Sequence, residues 1–171
     1  QKGVEKIQEK GTGTMTQDKT MVVFSGDLDK ALAAFIIANG AASMGHKVTM
    51  FFTFWGLNLL RKDNPPKVKK NLIEKMFGFM MPRGANRATL SQMHMAGMGT
   101  AMIKDIMKKK NVASLPELIR SAQENGVIIQ ACQMSMDLMG IHIEELLDGI
   151  EIAGVATMVH ASDDSNATIF I

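Results

Sequence analysis

The stretch TMVVFSGDLDKALAAFIIANGAASMGHKVTMFFTF, residues 20–54, decides the fold class. TMVVFS (20–25) is a short β-rich apolar run halted by Gly26, and it reads as a buried strand. Asp27 stands where a helix N-cap is expected. Beyond it, Leu28, Leu32, Phe35, Ile36 and Met44 fall at helical spacing, and Gly45 ends the run. KVTMFFTF (47–54) reads as a second buried strand. Strand, helix and strand in succession make a β-α-β unit, which implies a parallel pair joined by a right-handed crossover.

The same reading extends outward. Residues 1–19 are polar and rich in Gly and Thr, an expected loose arm with a helical tendency near 4–10. Residues 55–60 read as a helical turn, and Asn64-Pro65-Pro66 breaks the chain. A helical insertion is expected at about 61–110, punctuated by Pro82, Gly84, Gly97 and Gly99 and rich in Met. SLPELIRSAQENG reads as a clean helix, with Ser114 as cap, Pro116 and Glu117 in the first turn and Gly126 at the end. VIIQA (127–131) is a third buried strand, followed at once by Cys132 and a short helix ending at Gly140. IEIAG, a helix over VATMVHASDDS and a closing strand ATIFI complete the chain. The expectation is a single α/β domain over 20–171. It would hold a doubly wound, mainly parallel five-stranded sheet in the order 2-1-3-4-5, with helices on both faces.

Composition narrows the function classes. The chain has 171 residues, 46% of them hydrophobic and 21% charged, enough to bury a core and too apolar for a disordered chain. A single Cys rules out an internal disulfide and suits a reducing, cytoplasmic compartment. No apolar run reaches the roughly 20 residues of a membrane span. The first residues lack the apolar core of a secretory signal, and a start at Gln1 rather than Met suits a piece of a longer protein. All 19 Lys and Arg lie at or before Arg120, so residues 1–120 carry +10 and residues 121–171 carry −8. The basic clusters lack interleaved aromatics, which argues against nucleic acid.

Working crevices of parallel sheets lie beyond the carboxyl ends of the strands. Two segments are expected there: Ser25-Gly26-Asp27 after the first strand and Cys132-Gln133-Met134-Ser135 after the third. Cys132 would sit at a helix start, where unpaired N–H groups favour the thiolate, the reactive form. The same position also suits a buried structural Cys. His46, His94, His142 and His160 are scattered and form no metal-ligand pair. Of these, His142 is nearest in sequence to Cys132, so a Cys–His hydrolase stays open without a third orienting group. The loop FSGDLDK holds one glycine and two acids, Asp27 and Asp29, so it reads as a tight turn rather than a phosphate cradle. Met93, His94, Met95 and Met98 bring soft donors together, a pattern that suits Cu(I) or plain apolar packing.

Taken together, FSGDLDKALAAFIIANGAASMGHKVTMFFTFWGLNLLRK, MPRGANRATLSQMHMAGMGTAMIKD and GVIIQACQMSMDLMGI resemble the DsrE/DsrF-like sulfur-carrier family. The branch in question is the one associated with rhodanese and disulfide-reductase modules. The resemblance covers about residues 20–171, with ACQMSMDLMG its strongest part. It implies a compact α/β oligomer in which Cys132 accepts sulfane sulfur as a persulfide and passes it on. Ser25, Gly26 and Asp27 would act as positioning residues, as would Gln133 and Ser135 beside the cysteine. No metal and no organic cofactor is implied. The implied partners are a sulfur donor, such as a rhodanese or a persulfide, and an acceptor thiol protein. Some relatives carry a second cysteine; its absence here leaves a persulfide or an intermolecular bond.

Two other readings stand beside sulfur transfer. In one, the strand-end crevice holds a nucleotide, a flavin or coenzyme A. In the other, the Met/His cluster binds Cu(I). A homo-oligomer is expected, a trimer or a multiple of it by the resemblance, with a dimer as runner-up. The Met-rich insertion and the charge division give independent grounds for self-association.

Overall fold

The structure, a computed structural model, describes residues 17–93 and 95–171. The expected arm and its helical stretch therefore lie almost wholly outside the described residues, as does His94. Five strands form one sheet: β1 (Lys19–Val23), β2 (Val48–Phe52), β3 (Ile128–Cys132), β4 (Glu151–Ala153) and β5 (Ala167–Phe170). Among the described residues six α-helices accompany them: α1 (Leu28–Ser43), α2 (Leu72–Met80), α3 (Met98–Lys109), α4 (Leu115–Glu124), α5 (Gln133–Met139) and α6 (Val155–Asp163). A 3-10 turn, Phe54–Leu60, follows β2. Among the described residues no helix is long and apolar enough to cross a membrane.

Every pairing among these five strands is parallel. The strand order is 4-3-2-1-5, which corrects the expected 2-1-3-4-5 within the same α/β class. In the observed order β1 lies between β2 and β5, and β3 lies beyond β2. A right-handed crossover that keeps α4 on the side of α1 carries β3 to the far edge of β2. The two helices do pack together, and the Asn39 amide donates to the Leu118 carbonyl at 3.0 Å.

The two faces of the sheet are covered unequally. The large core lies on one face, where Met21, Val23, Met50, Phe52, Ile129 and Ala131 meet α1, α4 and α5. The other face carries a small cluster of Val22, Phe51, Cys132 and Ala153, packed against Met158 of α6. None of the residues of α6 is fully buried.

Two glycines fix the loop after β1. A Cβ on Gly56 would lie 2.3 Å from the Val23 carbonyl oxygen, and one on Gly26 would lie 2.7 Å from that of Trp55. The loop and the 3-10 turn are thus pressed backbone to backbone, where no side chain fits. The α1 cap differs from expectation. Asp27 holds the N-cap position, but its carboxylate accepts from Ser25 Oγ and Lys30 Nζ, each at 2.9 Å, instead of from a helix N–H. Ser25 Oγ in turn accepts the Asp27 N–H. The cap of α4 is as read, with Ser114 and Glu117 forming a reciprocal capping box.

The insertion is anchored at two places. The Asp29 carboxylate takes the Ser91 N–H at 2.9 Å and its hydroxyl at 2.6 Å. Burial pushes that carboxyl up, but the Ser91 hydrogen bonds outweigh it and the net shift is downward. Nearer the sheet, Glu145 bridges Arg61 at 3.2 Å and Lys70 at 2.5 Å. Elsewhere the insertion displays apolar surface: Leu72, Phe79 and Met80 on α2 are 84%, 92% and 74% exposed.

Candidate functional site

Cys132 closes β3 and serves as the N-cap of α5. Alternation along β3 sets Gln130 and Cys132 on one face of the sheet and Ile129 and Ala131 on the other. The β4 register sets Ala153 beside Cys132 and Glu151 beside Gln130. The cysteine therefore joins the small cluster with Val22, Phe51 and Ala153, beneath Met158, and is 1% exposed.

This position is where the winding of the sheet reverses. The helix after β3, α5, packs into the large core through Met136 and Met139. The helix after β4, α6, lies on the opposite face, where the Thr20 hydroxyl donates to the Ala161 carbonyl at 3.0 Å. Adjacent parallel strands whose connections leave to opposite faces open a crevice at their carboxyl ends. Cys132 and the Ala153–Gly154 pair line the only such reversal among the described strands.

The expected site residues fall into two groups. Gln133 and Ser135 stay with Cys132 on α5. Gln133 is exposed, while Ser135 is fully buried and shares a 2.7 Å hydrogen bond with Thr53. Ser25, Gly26 and Asp27 line a separate cavity of about 370 Å³, together with Trp55 and Met81. Their separation follows from the strand order, since β2 lies between β1 and β3. The start of α1 is also occupied, because the Leu28 N–H donates to the Thr89 carbonyl at 2.8 Å. Met93, Met95 and Met98 are 77%, 62% and 61% exposed. His142 donates its backbone N–H to Glu145 at 3.0 Å.

The surroundings of Cys132 include residues that sequence reasoning passed over. Met158 is distant in sequence, and only the fold packs it against the cluster that holds the cysteine. Gln130 was readable from strand alternation. Its amide nitrogen donates to Glu151 at 3.3 Å, and its buried carbonyl oxygen has no hydrogen-bond partner.

Fold and site together define an all-parallel α/β domain with one strand-end cysteine at the reversal of its winding. Residues 16–170 match the model of the DsrE/DsrF/DrsH-like family, and the chain belongs to that family. Sulfur carrier protein DsrE2 of Allochromatium vinosum is 38% identical over 162 residues, which are 92% of this chain and 100% of DsrE2. Uncharacterized protein YrkE of Bacillus subtilis (strain 168) is 56% identical over 156 residues, 91% of this chain and 98% of YrkE. The crystal structure of YchN from E. coli superposes with a TM-score of 0.52 at 10% identity, covering 90% of this chain and 99% of YchN. At that identity the likeness speaks for the fold alone.

Proposed function

We propose that the protein is a sulfur-relay carrier that holds sulfane sulfur as a persulfide on Cys132. The observation that carries this reading is the position of the only cysteine, at the carboxyl end of β3 where the winding reverses. Membership of the DsrE/DsrF/DrsH-like family and the likeness to a named sulfur carrier support it. In the loading step the Cys132 thiolate attacks the outer sulfur of a donor persulfide, R–S–SH. A new S–S bond forms on Cys132 and the donor leaves as its thiolate, R–S⁻. In the unloading step an acceptor thiolate attacks the outer sulfur, and Cys132 departs as a thiolate. Both are exchange steps with no net oxidation, so neither needs a cofactor. The donor is a rhodanese or another persulfide, the acceptor a thiol protein, and the setting a reducing cytoplasm.

The lone thiol fits carriage better than resolution, because no second cysteine in the chain can discharge the persulfide as an internal disulfide. Gln133 and Ser135 follow the cysteine on α5, and the Ser25–Asp27 loop, with β2 between it and the cysteine, offers a separate surface for partners. The working form is a homo-oligomer, in which the basic, Met-rich insertion of one copy faces the acidic carboxyl-terminal surface of the next.

The test is intact-mass measurement after incubation with a persulfide donor. A gain of one sulfur atom that is absent in Cys132→Ser supports the reading. No adduct on a thiol that alkylates readily under the same conditions refutes it.

A further inference from the structure

Helix α2, LIEKMFGFM, is turned inside out relative to an ordinary surface helix, whose apolar stripe faces the core. Leu72, Ile73, Met76, Phe77, Phe79 and Met80 are all exposed, Phe79 by 92%. At 3.6 residues per turn these six positions make one continuous face. Glu74 and Gly78 stand opposite, and Gly78 is the buried residue of the helix. That side meets the protein. Glu74 lies against Gly140 at the end of α5, and Arg83 Nη2 lies 3.4 Å from the place of a Cβ on Gly78. The helix keeps its shape without burying its apolar face. Asn71 and Glu74 close a capping box at its start, where the Asn71 N–H donates to the Glu74 carboxylate at 2.9 Å.

Cations gather along one flank of this face. Lys75 and Phe79 are four residues apart, so they are neighbours on the helix surface at the edge of the apolar face. Lys75 also lines an open cavity of about 370 Å³ with Lys67, Lys70 and Arg83. The two carboxylates in its wall are engaged, Glu74 by the Asn71 N–H and Glu145 by Arg61, Lys70 and the His142 N–H. No carboxylate of the described residues pairs with Lys67, Lys75 or Arg83. Large apolar side chains bordered by unpaired cations suit a helix lying in a membrane interface. There the apolar face enters the acyl boundary and the cations reach anionic headgroups.

We infer that α2 docks the protein on the surface of an anionic phospholipid bilayer, with its apolar face in the acyl boundary and Lys67, Lys75 and Arg83 against lipid phosphates. Its nine residues are too few to span a bilayer and enough to lie along one. A bilayer fits the charge pattern better than a second copy does. Two α2 faces joined about a two-fold axis would bring the same cations to both sides of the contact with no free acid to meet them. The self-association proposed above is left to α3, which carries its own Met and Lys residues. This inference is independent of sulfur carriage on Cys132.

The test is flotation of the full chain with vesicles of phosphatidylglycerol and phosphatidylcholine in equal parts, with pure phosphatidylcholine vesicles as the control. Binding to the anionic vesicles is expected to be at least tenfold tighter and to weaken at high salt. Leu72→Ser combined with Phe79→Ser removes apolar contact, and Lys67→Glu combined with Lys75→Glu reverses the flanking charge. All four positions are exposed, so both variants fold, and each is expected to bind at least tenfold more weakly. Light scattering of the same variants without lipid separates a bilayer from a second copy. No binding of the wild type to anionic vesicles overturns the inference, as does equal binding to both kinds of vesicle or wild-type binding in either variant. Loss of self-association in the double-serine variant also overturns it, because the apolar face would then belong to a second copy.

Discussion

Replacing Met158 by Ala tests whether α6 controls access to the cysteine. Cys132 is 1% exposed, and Met158 covers the small cluster that contains it. A reagent must therefore wait for α6 to lift. Lifting breaks the Thr20 Oγ1 hydrogen bonds to the Ala161 carbonyl and to Ser165 Oγ, at 3.0 and 2.7 Å. Each is worth about 1 kcal/mol net. Uncovering Met158 and the Val22–Phe51 floor costs about 2–3 kcal/mol more, while water reaching the unpartnered Gln130 oxygen returns part of this. The total, about 4 kcal/mol, leaves roughly one molecule in a thousand open at any moment. When opening is fast, labelling follows that population. Met158 is half-buried, so truncation to Ala removes about 1.5 kcal/mol of cover and should speed alkylation about tenfold. Val159→Ala, on the same helix but 46% exposed, should leave the rate near that of wild type. Iodoacetamide labelling at fixed pH, followed by intact mass, reads all three. A wild-type rate equal to that of the urea-unfolded chain, or no acceleration in Met158→Ala, would refute the reasoning.

Other consequences follow from the buried charges and the tight turn. Glu145→Ala strands Arg61 and Lys70 without their carboxylate and should cost about 3–5 kcal/mol in urea unfolding; a loss below about 1 kcal/mol would contradict the pairing. Burial pushes the Glu145 carboxyl up, but Lys70, the His142 N–H and Arg61 together hold it below the usual value. Its contribution is therefore complete above the unfolded pKa of about 4.3 and is lost as pH falls through the lower folded value, a dependence that Glu145→Gln should flatten. Gly56→Ala forces a Cβ to within 2.3 Å of the Val23 carbonyl and should lower stability by about 1–3 kcal/mol, measured as a shift in the thermal midpoint.

How far the sequence was legible depended on the range of the interaction. Apolar runs stopped by Gly26, Gly45 and Gly126 identified the early strands and helices, because those elements are set by their own residues. Gly140 ended α5 as read and adopts a positive φ of 63°, which a left-handed helix end favours. The placement of Cys132 at a strand end was equally local. The strand order was not, since nothing within residues 53–127 dictates which edge of β2 receives β3. That choice decided the site, because it put β2 between the Ser25 loop and the cysteine. Asp27 was readable as a cap position, but its competition between Ser25, Lys30 and a helix N–H was settled by side-chain geometry. The Arg61–Glu145 pair is separated by 84 residues, and no periodicity signals such a contact.

The pairing of β1 with β5 joins residues 19–22 to residues 167–170. During synthesis β1, α1 and β2 are made early, whereas the strand that covers the outer edge of β1 is made more than a hundred residues later. Until then that edge presents unpaired N–H and C=O groups beside Met21, Val22 and Val23, an invitation to pair with another chain. The parallel sheet thus has a period of exposure built into its order of assembly. A chain interrupted before residue 167 would keep the edge open permanently and would be prone to aggregate rather than merely inactive.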